Sequence, residues 1–192
     1  MLNAERLLTS VLLSVCLYTP GIGNAQPSET LSFRGMPMGV TEKEFSERFP
    51  FVRCWQASTI QVADRICGSS LLSGGDANYG GASVVSIIAM FLNDSLWAVT
   101  LTFPSSDTST LISALTERYG KPAKLEDSTV QNRAGASFDQ TKATWKLNDG
   151  TVEVYKRSGK VTDGRVDLKS NAGFAEAIKR QDEAKKSNAG KL

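Results

Sequence analysis

Histidine, which many hydrolytic enzymes use to transfer protons near neutral pH, is absent from all 192 residues of this sequence. Its absence excludes Ser-His-Asp triads, Cys-His pairs and nearly all catalytic zinc sites, because each of them needs an imidazole. Cysteine is the next residue type to consider for covalent or metal chemistry, and it occurs at positions 16, 54 and 67. Two thiolates do not complete a zinc site. The sequence therefore predicts no catalytic residue and no metal.

The pair Cys54 and Cys67 is interpreted as a disulfide. Cys16 lies in an N-terminal segment that we expect to be removed, so the mature chain keeps an even pair. In an oxidising compartment such a pair forms a disulfide. Closing a loop of this size stabilises the folded state by about 3 kcal/mol in the chain-entropy model. A reactive or metal-binding pair of thiols is the alternative that the sequence leaves open.

Phosphate cradles and paired carboxylates are the other chemistries to consider. Gly74-Gly75 and Gly80-Gly81 are not followed by Lys-Ser or Lys-Thr, so they predict a flexible loop and no nucleotide cofactor. Glycoside hydrolysis needs two carboxyls a few ångströms apart, one with a raised pKa. A histidine-free hydrolase stays open as an alternative, and its candidates lie in expected loops or on solvent faces: Glu126, Asp127, Asp139, Glu153 and Asp167.

Three side chains are candidates for contact with a partner. Trp55 follows a disulfide cysteine, Tyr79 lies in the glycine-rich loop, and Arg133 lies in a polar connector. Exposed aromatic residues and arginines are typical of the centres of protein interfaces. The alternatives are that Trp55 packs onto the disulfide and that Arg133 is merely solvated.

The first 25 residues have the pattern of a cleaved secretory signal peptide. Arg6 gives a weakly positive start, an apolar run follows over 7–18, and Pro20 ends it. Small residues precede a cleavage site between Ala25 and Gln26. The run is shorter than the roughly 20 residues of a transmembrane helix, although an uncleaved anchor is the alternative. We expect a soluble mature chain in the periplasm or the medium, without a transmembrane anchor.

The charge balance bears on the kind of partner. Lys and Arg number 22 and Asp and Glu number 20, which gives a net charge of +2. The charges are interspersed, whereas a nucleic-acid-binding protein needs a concentrated basic face. We therefore expect no nucleic-acid partner.

Periodicity and turn residues predict helices and hairpins in alternation. Thr41 and Glu44 form a capping box that starts a helix, and Pro50 ends it. Two extended segments follow, over 51–57 and 60–67. A hairpin over 83–92 and 95–103 turns at Asn93-Asp94. Its second strand would put Trp97 on one face with Val99, Leu101 and Phe103, opposite Met90, Ile88, Ser86 and Val84 respectively.

The second half of the chain predicts a similar succession. Asp107 would cap a helix over 108–119, and a polar connector without periodicity follows over 126–139. A second hairpin, 141–148 and 151–157, would turn at Asp149-Gly150. That register places Trp145 opposite Val154, and Lys146 opposite Glu153 as an ion pair. A strand over 164–170 and a helix from Asn171 complete the order.

These elements predict an α+β fold. The antiparallel sheet would have about five to six strands, with two helices packed on one face and a C-terminal helix in addition. A single domain would cover 26–178, after the signal peptide at 1–25 and before a polar C-terminal tail at 179–192.

Several short motifs resemble those of known exported proteins. Phe33-Arg34-Gly35, Gly39 with Glu44-Phe45, the two cysteines, Tyr119-Gly120-Lys121-Pro122, 130–133 and Trp145 resemble a group of small exported proteobacterial proteins without an established function. More remotely, the helix start after Gly39 and the helix end at Tyr119-Gly120 resemble those of β-lactamase inhibitory proteins and small outer-membrane assembly lipoproteins. That resemblance implies helices packed on an antiparallel sheet and a function in binding other proteins. In this sequence a helix followed by strands occurs twice, starting near Thr41 and near Asp107, which is compatible with a tandem repeat.

The sequence as a whole predicts an exported, non-enzymatic protein that binds a protein or a cell-envelope component. An inhibitor of an envelope or extracellular hydrolase is the first alternative, and the histidine-free hydrolase is the second. Nothing in the sequence indicates an oligomeric state.

Overall fold

A computed structural model describes residues 30–58, 62–70, 72 and 77–189. The predicted signal peptide over 1–25 and the glycines Gly74 and Gly75 lie outside the described residues. The helices are α1 (Glu42–Arg48), α2 (Thr108–Tyr119) and α3 (Asn171–Ala189). The strands are β1 (Ser32–Phe33), β2 (Met36–Pro37), β3 (Arg53–Gln56), β4 (Arg65–Ser69), β5 (Asn78–Tyr79), β6 (Ala82–Ser83), β7 (Ser86–Leu92), β8 (Ser95–Pro104), β9 (Lys124–Gln131), β10 (Ser137–Lys146), β11 (Gly150–Tyr155) and β12 (Asp163–Ser170).

Eight of these strands form one antiparallel sheet in the order β3-β4-β7-β8-β12-β11-β10-β9. The pairs β1-β2 and β5-β6 form two small separate ribbons. β8 and β12 meet at the centre of the large sheet, and each half begins with a helix, α1 or α2. The described residues are therefore α+β, as predicted. The large sheet has eight strands, whereas the sequence predicted about five to six.

The additional strands come largely from the segment 126–139, which was predicted to be a connector. It forms most of β9 and the start of β10, which pair from Lys124↔Thr144 to Gln131↔Ser137. β9 is an edge strand whose residues are mostly exposed. A strand without a buried face has no reason to alternate apolar and polar residues. The prediction of a connector was wrong because it depended on that alternation.

The core lies between one face of the sheet and the helices α1 and α2. The predicted capping box is confirmed: Thr41 Oγ1 accepts from the Glu44 N–H at 3.2 Å, and Glu44 Oε2 accepts from the Thr41 N–H at 2.8 Å. α1 buries Phe45 against Phe49, with 4.8 Å between ring centroids. A row of buried side chains crosses the sheet beneath the helices through Cys67, Ala89, Val99, Leu168, Val152 and Trp145.

The second helix begins differently from the prediction. Asp107 belongs to a 3-10 turn, Ser105–Asp107, and its side chain does not cap α2. Its Oδ2 instead accepts from the Ser83 N–H at 2.9 Å, which ties the β5-β6 ribbon to the start of the helix. Leu111 and Leu115 are buried in the same core as Phe45. α1 and α2 therefore cover the same face of the sheet.

A β-bulge changes the predicted register of the first hairpin. Asn93 and Asp94 form the turn with φ of 51° and 58°, as expected for a tight hairpin. The pairing then shifts between Met90 and Phe91, so that Phe91 faces Leu96 while Met90 faces Ala98. Trp97 is the extra residue, and an extra residue reverses the direction of the side chains beyond it. Trp97 thus lies on the opposite face from Val99, and the prediction that they share a face was wrong.

The second hairpin is shifted by two residues. The Leu147 N–H donates to Gly150 O at 2.8 Å, so Asn148-Asp149 form the turn and Trp145 faces Val152. Glu153 lies opposite Thr144, and the predicted ion pair with Lys146 is wrong. Gly150 is needed within the strand, because a Cβ there would lie 2.4 Å from Leu31 Cδ2 and 2.5 Å from Lys169 O.

α3 packs on the face of the sheet opposite to α1 and α2. It contacts β8, β12 and β11, and Ala177 packs with Trp97, Ala98 and Leu92. The Arg180 guanidinium donates to Asp64 Oδ1 at 2.6 Å and to Asn93 Oδ1 at 2.7 Å. These bonds join α3 to the β7-β8 turn, so the helix covers one end of this face. We call the remainder of it the open face.

Candidate partner-binding surface

The structure joins Cys54 and Cys67 as a disulfide between β3 and β4. The two residues are directly opposite, with 4.0 Å between their Cα atoms, and Cys67 is fully buried. The Glu42 carboxylate and both sulfurs lie within 4.8 Å of one another, a spacing that could suit a metal ion. Sulfurs joined to each other offer no thiolate, and Arg65 binds the Glu42 carboxylate at 2.8 and 2.9 Å. We therefore assign no metal to this group.

Trp55 lies on the open face with 46 % of its surface exposed. Side chains alternate between faces along a strand, so Trp55 points away from the Cys54 side chain next to it. Its indole instead leans over Gly68 on β4, where a Cβ would lie 3.2 Å from Trp55 Cη2. The alternative in which Trp55 packs onto the disulfide is not what the structure shows.

Tyr79 is buried, contrary to the expectation of an exposed loop residue. The β5-β6 ribbon lies against α2, where Gly80 closely approaches Ala114. This position buries Tyr79 against Phe33, with 5.7 Å between the ring centroids. Among the described residues, the Tyr79 hydroxyl has no hydrogen-bond partner. Burial raises the pKa of this hydroxyl above its usual range. Tyr79 therefore belongs to the core.

Arg133 is exposed in the β9-β10 turn, at the opposite edge of the sheet from Trp55. It borders a polar groove of about 600 Å³ together with Arg157 and Lys160. Asp139 binds Arg157 at 2.7 Å, so part of the positive charge in this groove is already neutralised. The structure thus separates Trp55, Tyr79 and Arg133, which form no common site.

A groove of about 620 Å³ surrounds Trp55, and we call it the Trp55 groove. Arg53 on β3 and Gly68 on β4 lie in line with Ile88 on β7. Because Gly68 has no side chain, the Trp55 indole can lie over β4 towards Ile88, which is 41 % exposed. Arg53, Gly68 and Ile88 were not singled out from the sequence. The lining residues are Phe51, Arg53, Trp55, Gly68, Ser69, Ser70, Ser86, Ile87 and Ile88.

The open face has a different character in the second half of the sheet. Glu153 accepts from Lys169 at 3.0 Å and forms an ion pair with Lys142 at 2.8 Å. Burial acts to raise the pKa of Glu153, but hydrogen bonds from Lys142 and Lys169 outweigh it and lower the pKa to about 2. Asp167 is buried and accepts from Thr100 Oγ1 at 2.8 Å. Both carboxylates, Glu153 and Asp167, are therefore bonded within the chain.

Two of the predicted carboxylate candidates, Asp139 and Glu153, differ from the acid catalyst of a glycosidase. That chemistry needs one carboxyl with a raised pKa. Hydrogen bonds from Lys156 and Arg157 lower the pKa of Asp139 to about 2, and the pKa of Glu153 is lowered as well. Both carboxylates are bound by cationic side chains, which favour the ionised form of a carboxyl group.

The fold and the surface define an α+β protein with an eight-stranded antiparallel sheet, one covered face and one largely open face. No protein-family model, no curated protein and no solved structure matches the chain. Within the described residues, no helix is both long and apolar enough to span a bilayer.

Proposed function

We propose that this chain is an exported, non-enzymatic protein that holds a protein or an envelope component on the open face of its sheet. The observation that carries the proposal is the Trp55 groove, which a half-exposed tryptophan and a half-exposed isoleucine both line. Large apolar side chains grouped on a surface mark sites of interaction. Tryptophan and arginine are also the residue types enriched among energetically dominant interface residues.

Export is supported by the signal-peptide pattern of the sequence and by the disulfide of the structure. Structural disulfides persist in oxidising compartments such as the periplasm. Mass spectrometry of the protein from its host should find a chain that begins near Gln26. A full-length product in the cytoplasm would contradict export.

Affinity capture with matched baits tests the binding surface. The mature protein, its Trp55→Ser variant and a Leu125→Ser control are used as baits in envelope extract. Leu125 is 57 % exposed on β9, at the other edge of the sheet, so its replacement removes a comparable apolar surface elsewhere. The proposal predicts a partner that the wild-type and Leu125→Ser baits recover and that Trp55→Ser does not. Equal recovery by all three baits would show that the groove is not the binding surface.

An inhibitor of an envelope or extracellular hydrolase is the form of this function that the topology favours. The two halves of the sheet, each preceded by a helix, are what a tandem repeat of helix plus strands would produce. The resemblance to β-lactamase inhibitory proteins likewise implies units of helices packed on an antiparallel sheet. The test is whether a captured hydrolase loses activity as the mature protein is added, and whether Trp55→Ser removes the inhibition.

A further inference from the structure

We propose that the partner contributes an extended segment that adds to the free edge of β3 as a ninth strand, with an apolar side chain in the Trp55 groove. This inference rests on the proposed function, since it specifies how a protein partner would occupy that groove. Strand addition combines backbone hydrogen bonds, which give affinity, with pockets for alternate side chains, which give specificity.

The first observation is the direction of the backbone groups of β3. The Ala57 N–H donates to Asp64 O at 3.0 Å, and the same register pairs Gln56 with Arg65. Hydrogen-bonded and non-hydrogen-bonded pairs alternate along an antiparallel ladder. Trp55 therefore bonds inward to β4, whereas Cys54 and Gln56 direct their N–H and C=O groups outward. Among the described residues, no strand pairs with this side of β3.

The second observation is that the two edges of the sheet differ. Proteins protect a free edge with charged residues, because unpaired backbone groups invite another chain. β9, the other edge, carries Lys124, Glu126 and Asp127 within its first four residues. β3 has the sequence Arg-Cys-Trp-Gln, in which arginine is the one charged residue. The edge of β3 thus carries fewer charged side chains to oppose strand addition than that of β9.

The third observation identifies the chemistry of the segment. Within the described part of the chain, the Arg53 guanidinium has no ion-pair or hydrogen-bond partner. Arg53 and Trp55 both point to the open face, two residues apart. An added strand would place one side chain beside Trp55 and the next one on that face beside Arg53. The segment that fits has an apolar residue and an acidic residue separated by one position.

The disulfide holds this edge in place before binding. It links β3 to β4 at Cys54, between Arg53 and Trp55. A binding segment that is already held in its bound shape loses less conformational entropy on association. Reduction of the disulfide should therefore weaken binding of the segment.

A second copy of the chain fits the edge less well. If two β3 strands paired antiparallel about Trp55, each Arg53 would lie opposite the small apolar Ala57 of the other copy. The arginine would then still lack a counter-charge. An acidic partner segment supplies it, and the oligomeric state is measured in the test to separate the two cases.

The test uses the oxidised mature protein and a fluorescein-labelled peptide, Thr-Thr-Phe-Thr-Glu-Thr-Thr, in an anisotropy titration. Gln56→Pro removes an outward N–H, a substitution that edge strands tolerate, and should weaken binding at least about fivefold, as expected for one hydrogen bond. Thr129→Pro is the matched control. The Asn132 N–H donates to Ala136 O, so Asn132 bonds inward to β10 and, by the alternation along the ladder, the Thr129 N–H points outward. The affinity of the Thr129→Pro variant for the peptide should equal that of the wild type.

Charge reversal tests the role of Arg53. Arg53→Glu should weaken binding of the glutamate peptide by about threefold, as exposed cross-strand ion pairs do. The same variant should bind a peptide with lysine in place of glutamate better than the wild-type protein does. Should Gln56→Pro fail to fold, two peptides N-methylated at successive amides take its place. One methyl group then faces β3 and must abolish binding, whereas the other faces away.

The outcomes separate this inference from the proposed function. Strand addition of a partner segment is wrong if the peptide does not bind, or if Gln56→Pro and Thr129→Pro bind it equally well. It is also wrong if sedimentation shows a dimer of this chain that Gln56→Pro dissociates. If the captured partner is lost with Trp55→Ser but kept with Gln56→Pro, the groove binds it without strand addition. If the partner is kept by both variants, the proposed surface is wrong as well.

Discussion

Replacing Gly173 by alanine should destabilise the protein, although the same change in an ordinary helix stabilises it. Alanine exceeds glycine in helix propensity by about 1 kcal/mol. Here, however, a Cβ at position 173 would lie 2.0 Å from Trp97 Cβ and 2.9 Å from Ser170 Oγ. An ordinary contact begins at 3.4 Å, so α3 has to retreat from the sheet by more than an ångström.

The magnitude follows from overpacking at this contact. Adding a methyl group to a close-packed site costs about 1–3 kcal/mol. An approach of 2.0 Å to Trp97 Cβ puts this site in the upper part of that range, about 2–3 kcal/mol, which outweighs the gain in helix propensity. A net loss of about 1–2 kcal/mol lowers the midpoint of thermal unfolding by roughly 2–8 °C for a chain of this size. Retreat of α3 also exposes Trp97, which is 7 % exposed in the folded protein.

Thermal and urea unfolding of four variants measure the effect. Ala175→Gly, at an exposed position of the same helix, reports propensity alone and should cost about 1 kcal/mol. Trp97→Gly removes the Cβ and Cγ atoms that approach position 173 and leaves only Ser170 Oγ, the end of a short side chain. Gly173→Ala should therefore cost much less in that background, and the double-mutant cycle gives the coupling. A rise in the midpoint for Gly173→Ala alone would refute the docking of α3 against Trp97.

Three further predictions concern stability. Tyr79→Phe should leave stability unchanged or raise it, because it removes a buried hydroxyl without a partner; a loss above about 1 kcal/mol in urea unfolding would show that the hydroxyl is bonded. Reduction of the Cys54–Cys67 disulfide, whose residues are separated by 13 positions, should cost about 3 kcal/mol, measured with and without reductant. The lowered pKa of Glu153 means that its stabilising contribution is present above pH 4.5 and is lost as the pH falls towards 2. Acid titration of Glu153→Gln should therefore show a shallower loss of stability than the wild type, and identical curves would contradict the ion-pair assignment.

The first hairpin shows what periodicity can and cannot predict. Asn93-Asp94 are residue types that accept positive φ, and the structure confirms that turn. Side-chain direction beyond it depends on a single extra residue, Trp97, and no residue type marks a bulge of this kind. The apolar character of Trp97 was equally compatible with both faces, because both are covered at that position, one by α1 and α2 and the other by α3.

The candidate site was predictable in part for a similar reason. Trp55 is predictable as a candidate because tryptophan is enriched in protein interfaces, and this criterion needs only the residue type. The position of its indole over β4 depends on Gly68, and a glycine in a strand does not reveal which side chains flank it until the register of β3, β4 and β7 is known. Tyr79 was misjudged because the glycines around it suggested mobility, whereas Gly80 lets the ribbon approach α2 closely.

The arrangement of helices explains why a partner is expected on the first half of the open face. α1 and α2 cover the same face in both halves of the sheet, and α3 covers only one end of the other face. On the second half, Glu153 is already bound by Lys142 and Lys169, so a partner there would have to desolvate satisfied charges. On the first half, burial of Trp55 and Ile88 by a partner is favourable, and the Arg53 guanidinium can pair with an acidic group of that partner. The two halves of the sheet thus share a topology but differ on the open face. In the second half Glu153 is paired within the chain, whereas the first half exposes apolar side chains that a second chain can cover.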